Sequence, residues 1–175
     1  GVLMDCCHSD PSIGLHKEDV TPQNIVSLFA KHKVPREVDL LSVSVQADDA
    51  FILRSIFQEG YRPRLLIVKV NSNFGDESLL SFPDKRVVSR KDAHCGPLCT
   101  FEGAGAKQQT ALCGVGVKGL HKLALSATYR PAFLSSESYF FLVREDLSSV
   151  PMAIEWTLPR VIQHAKSMGW VSQTF

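Results

Sequence analysis

Apolar residues along this chain come in two rhythms: short near-continuous runs, and stripes at helical spacing. Val2-Leu3-Met4-Asp5 is a short run closed by an acid, and Ser12 to Lys17 alternates with Ile13 and Leu15 on one face, so both segments are expected as strands. Thr21-Pro22 then supplies a helix start, with threonine as cap and proline where its missing N–H is not needed. Ile25, Leu28, Phe29 and His32 follow on one stripe that ends in a histidine.

Val38 to Val45, reading VDLLSVSV, suits a strand covered on both faces. A helix is expected from about Asp48 to Glu59, with two acids in its first turn, Ile52 with Ile56 and Leu53 with Phe57 as neighbours along its face, and Gly60 as terminator. Arg64 to Val70, RLLIVKV, is a second buried-type strand. Strands alternating with helices over short links predict parallel crossovers, whose ligands bind outside the carboxyl ends of the strands. Asp5, Ser44 to Asp49 and Asn71 to Phe74 are therefore the places to look for a site.

After Pro83 the periodicity fades, and residues 84–137 read as an irregular insertion or long loop. Ser138 to Arg144 recovers as a strand, and Ala153 to Met168 as a terminal helix interrupted by Pro159. With 175 residues, 45% of them hydrophobic, the chain is long enough for one core and is read as a single domain. A formal net charge of +1 gives no electrostatic reason to expect nucleic acid or an anionic membrane as partner. No apolar run approaches the roughly 20 residues of a spanning helix, so a cytoplasmic location and no membrane partner are expected. The five cysteines are an odd number without the spacing of a secreted scaffold, which predicts reduced thiols. The abrupt apolar opening at Gly1-Val2-Leu3-Met4 suggests a fragment of a longer protein.

The segments LMDxxxxxPxIxLHKE, VTPQNIVSLF, VPREVDLLSV and RPRLLIVKVNSNFGDES resemble a methyltransferase-like family similar in layout to the FkbM-type S-adenosylmethionine-dependent methyltransferases. The likeness runs from about Val2 to Phe82 and returns at Tyr139 to Leu147, where YFFLVREDL looks like the closing strand. It implies an α/β, three-layer Rossmann-like methyltransferase fold with a mainly parallel sheet, lacking the first strand. It also implies S-adenosylmethionine as cofactor, with Asp5 on its ribose hydroxyls, and an acceptor substrate framed by the Ser44 to Asp49 loop and by Asn71, Asn73 and Phe74.

Two departures bear on activity. Where the family reads LLSIDIDGND, this chain has Leu40-Leu41-Ser42-Val43-Ser44-Val45-Gln46-Ala47-Asp48-Asp49, and where it reads VVEYN, Lys69 stands in place of the acid. A carboxylate can take a proton, bind a cation or hold hydroxyl and amino groups; Ser44, Gln46 and Lys69 cannot supply that charge. Asp48 and Asp49 remain as catalytic candidates, although acids in a helix's first turn also serve its dipole. The expectation is a methyltransferase-like domain with a degenerate acidic site, or a non-catalytic scaffold or interaction module derived from it. His94, Cys95, Cys99, Cys113 and His121 keep open a third reading, a small zinc-binding module in the insertion, although no metal ligand set is assigned. His16 and His32 are read as structural. Cys6-Cys7-His8 is set aside as a thiol nucleophile because adjacent strand residues face opposite ways.

Overall fold

The computed structural model describes residues 1–45, 48–71, 81–82, 100–101, 108–109, 114–135, 139–147 and 157–168. Among these residues it is a mixed α/β structure with four helices: α1 (Ile25–Lys31), α2 (Asp49–Gln58), α3 (Val117–Ser126) and α4 (Leu158–Ser167). Its longer strands are β1 (Leu3–Asp5), β2 (Leu15–Lys17), β3 (Leu40–Val43), β4 (Leu65–Lys69), β9 (Tyr129–Leu134) and β10 (Tyr139–Arg144). Four two-residue strands lie between them: β5 (Ser81–Phe82), β6 (Thr100–Phe101), β7 (Gln108–Gln109) and β8 (Gly114–Val115).

The main sheet has the order β3-β4-β10-β9. Only β3 and β4 run parallel; β10 is antiparallel to β4 on one side and to β9 on the other. The expected mainly parallel sheet is thus a mixed one. β1 and β2 are parallel but form a separate two-stranded sheet, the remaining strands pairing antiparallel as β5-β8 and β6-β7. The physical reason for the mixed sheet is β10, which reaches back from a short hairpin with β9 and slots into the sheet interior against β4.

Alternation along the strands decides which face is covered. Leu41 and Val43 lie opposite Leu66 and Val68, and these lie opposite Leu142 and Phe140, so all six share one face. Leu66, Val68, Phe140 and Leu142 are fully buried. Tyr129, opposite Arg144 on that same face, stacks on Phe57 of α2 with ring centroids 5.3 Å apart. Helix α2 therefore covers this face, through Ile52, Leu53 and Ile56, and α1 joins it by Phe29 packing edge-on against Tyr61. The other face, with Leu65, Ile67, Phe141 and Val143, is half-buried.

Local chemistry explains the helix ends. Past α2 the Gly60 N–H donates to the Phe57 carbonyl and the Tyr61 N–H to Ile56, with Gly60 at φ +76°, the left-handed conformation that glycine adopts without strain. Helix α1 ends the same way, Lys33 donating to Ala30 and Val34 to Phe29, but with lysine at φ 54° in the left-handed position. The start of α1 is later than expected: Thr21 Oγ1 accepts the Asn24 N–H and Asn24 Oδ1 accepts the Thr21 N–H, holding a turn before the helix. The segment from Ser12 divides into a single 3-10 turn at Pro11–Ile13 and the short β2. Pro159 does not interrupt α4 but sits in its first turn, where proline is compatible with the helix. Within 84–137, read from sequence as irregular, α3 and β9 are regular elements, and Leu120, Ala124 and Tyr129 belong to the core.

Candidate functional site

The carboxyl ends of β3 and β4, with the first turn of α2, bring together Ser44, Val45, Asp48, Asp49, Lys69 and Asn71. Asp49 is 1% exposed, and its Oδ1 accepts the Val45 N–H at 2.9 Å. It closes the β3–α2 connection from inside, with its carboxylate directed at the chain's own backbone. Burial raises its pKa from 3.8 to about 6 against the opposing pull of the Val45 and Asp49 N–H groups; Asp48 adds repulsion and Lys69 attraction. Asp48 is half-buried, and Ser44 and Lys69 are exposed. The Asn71 N–H donates to the Val115 carbonyl at 2.9 Å, which ties the end of β4 to β8. Gln46, Asn73 and Phe74 lie outside the described residues.

Asp5 is placed differently. It ends β1, opposite Lys17 in the two-stranded sheet, apart from the main sheet of β3 and β4. Its Oδ1 accepts the Cys7 N–H and the His8 N–H, both at 2.8 Å, and lies 3.0 Å from His8 Nδ1. Those donors, the Cys7 N–H foremost, hold its carboxyl below the usual range. The carboxylate thereby fastens the bend that follows it, the work of an aspartate in an Asx turn.

That bend overturns the opposite-facing reading of the adjacent cysteines, because residues 6 and 7 have left the strand and Cys6 Sγ lies 3.1 Å from Cys7 Sγ. Cys7 is disulfide-bonded, so the expected uniformly reduced thiols do not hold there. Asp5, Cys6 and Cys7 form the one group among the described residues whose donor atoms are close enough to chelate a metal. A disulfide sulfur is not a thiolate, and without Cys7 the set falls to two ligands. His94, Cys95, Cys99 and Cys113 lie outside the described residues; His121 is on α3, where burial lowers its pKa.

One polar cluster was not singled out from the sequence. Glu18 Oε1 accepts from Lys31 Nζ at 2.6 Å and pairs with His32 Nε2 at 2.7 Å, and the His16 ring lies 4.1 Å from the His32 ring. It joins β2 to the end of α1. The signal available was the histidine closing the α1 stripe: an imidazole on an apolar face needs a partner, and Glu18 is the adjacent carboxylate. The structural reading of both histidines agrees with this arrangement.

Comparison with family models, with curated proteins and with solved structures yields no match.

Proposed function

We propose that this chain is a methyltransferase-like α/β domain whose acidic site has degenerated, and that it serves as a non-catalytic scaffold or interaction module. The observation that carries the reading is the inward turn of Asp49: of the two acids left at the end of β3, it is withdrawn from solvent and bonded to Val45. The sheet supports the methyltransferase side of the proposal. The segment resembling the family's closing strand is β10, slotted antiparallel between β4 and β9.

Two features of the described residues speak against S-adenosylmethionine. Asp5, matched by resemblance to the ribose-binding acid, commits Oδ1 to three local donors, and Lys69 places a cation where that family has a carboxylate. Among the described residues neither β3 nor β4 itself carries a carboxylate at that edge; of the two acids at the start of α2, Asp49 is buried and Asp48 half-buried, which leaves general acid–base work and diol binding poorly served. No catalytic step is assigned to the chain.

Calorimetric titration with S-adenosylmethionine and S-adenosylhomocysteine tests the reading. The expected result is no binding heat from folded protein. Saturable binding at micromolar ligand would sink the proposal and return Asp5, Asp48 and Asp49 to candidacy in a working methyltransferase. Restoring acids at Ser44, Gln46 and Lys69 is a second arm: binding gained there would show that the rest of the pocket survives.

A further inference from the structure

Asp5, Cys6 and Cys7 are consecutive, and the bend after β1 turns their side chains towards one another. An extended strand would send Cys6 and Cys7 to opposite faces. Here the Cys7 and His8 N–H groups, both 2.8 Å from Asp5 Oδ1, close the chain round the carboxylate. The two sulfurs lie 3.1 Å apart, and a carboxylate oxygen of Asp5 lies within 4.8 Å of both. Asp5 Oδ1 is also 3.0 Å from His8 Nδ1, whereas Oδ2 makes no hydrogen bond among the described residues. Cys6 is outside any disulfide and keeps its thiol, while Cys7 is held in one. We infer that, once the disulfide at Cys7 is reduced, this bend binds a thiophilic divalent cation such as zinc through Asp5, Cys6 and Cys7.

The ligand types select the cation. Two thiolates favour zinc and its softer neighbours over calcium or magnesium, and a carboxylate completes three protein ligands, leaving the fourth tetrahedral position to water. Zinc–sulfur bonds of about 2.3 Å at tetrahedral angles set two sulfurs about 3.8 Å apart. The pair must therefore open by roughly 0.7 Å, which a small rotation of the exposed Cys6 side chain supplies. The hydrogen bonds to Asp5 Oδ1 hold the carboxylate in place before a cation arrives, the outer support that metal-binding carboxylates ordinarily have. The disulfide makes the site conditional on reduction. Two thiols of a reductant couple to each other as a disulfide, and their two electrons and two protons open the bond at Cys7 into two thiols. The cation then displaces the protons of Cys6 and Cys7. The contacts that build the site lie within the bend itself, and it does not rest on the methyltransferase likeness.

Zinc binding to the full chain, read by competition with a chromophoric chelator after the reductant is removed without air, tests this. The variant Cys95→Ser/Cys99→Ser/Cys113→Ser leaves Cys6 and Cys7 as the only cysteines and is measured beside the wild type. The expected result is one zinc per reduced triple-variant chain, lost when Cys6→Ser is added and weakened roughly tenfold or more by Asp5→Asn, which keeps an oxygen for the Cys7 and His8 N–H groups. Cobalt(II) in place of zinc should give a sulfur-to-metal charge-transfer band that Cys6→Ser at least halves. A triple variant that binds zinc no better than the same chain with Cys6→Ser overturns the proposal. If the triple variant loses its near-UV circular dichroism, reduced wild type decides: Asp5→Asn must then hold one zinc fewer per chain, and an unchanged count overturns the proposal. In oxidised wild type Asp5→Asn should change nothing, and a loss of zinc there overturns the need for reduction.

Discussion

Replacing Asp49 with asparagine should stabilise the fold at neutral pH, against the usual expectation for a buried, hydrogen-bonded residue. The folded carboxyl holds its proton up to about pH 6, whereas an ordinary aspartate releases it near 3.8. Between those values the folded chain binds more protons than the unfolded one, so stability falls as pH rises through this window and levels off above it. At about 1.4 kcal/mol per tenfold change in proton affinity, the ionised carboxylate costs the fold ~3 kcal/mol at pH 7. Burial at 1% exposure leaves little solvent screening to reduce that figure. Asparagine keeps an oxygen for the Val45 N–H and removes the charge, but adds an NH2 group whose desolvation returns about 1–2 kcal/mol. Asp49→Asn should therefore gain about 1–2 kcal/mol at pH 7 and lose the gain as pH falls towards 4. Urea unfolding of both proteins at several pH values from about 4 to 7.5 measures this, because groups common to both cancel in the difference. A difference independent of pH, or a variant less stable than wild type at pH 7, would refute the account of Asp49 as a desolvated structural acid.

Further outcomes follow from the packing at three other positions. Lys33→Gly should stabilise by about 0.5–1 kcal/mol, since the left-handed position ending α1 costs lysine what it does not cost Gly60 at the end of α2; an unchanged melting temperature would contradict it. Tyr129→Phe should cost about 1–2 kcal/mol in urea titration, because the buried Tyr129 Oη donates to the Pro63 carbonyl at 2.7 Å. In the wild type, burial pushes that phenol up to about 12, so ultraviolet titration should show one of the three tyrosines ionising late. Glu18→Gln should lower the melting temperature at neutral pH. Lys31 and then His32 hold the Glu18 carboxyl below its usual range, so its contribution is present above that range and fades in acid; a deficit that persisted at low pH would contradict the pairing.

The elements that were legible in the sequence are those whose pattern is local. The stripe of Ile52, Leu53 and Ile56 with Gly60 behind it gave α2 to within a residue at each end, and β3 and β4 lie inside the runs read as strands. The third helix and β9 escaped because glycine-rich sequence around Gly114, Gly116 and Gly119 masks the stripe of Val117, Leu120 and Ala124, and because Pro131 lies within the strand. Proline fits there at the irregular pairing with β10, a tertiary condition invisible in one segment. At the site, the positions of Asp5 and Asp49 were readable but their orientations were not. Whether a carboxylate points to solvent or to its own backbone depends on the adjoining turn, after Asp5 and before Asp49, and Cys7, His8 and Val45 set that by their N–H groups.

The place of β10 in the sheet also fixes an order of events during synthesis. β4 leaves the ribosome about 70 residues before its antiparallel neighbour, an interval on the order of ten seconds at typical elongation rates. For that time Leu66 and Val68 have no strand beside them on that side, and their main-chain groups offer a ready template for a neighbouring nascent chain. The chain is thus obliged to finish its sheet after translation of nearly the whole domain, and its yield in cells should depend on chaperones that shelter an incomplete sheet more than on the stability of the finished one.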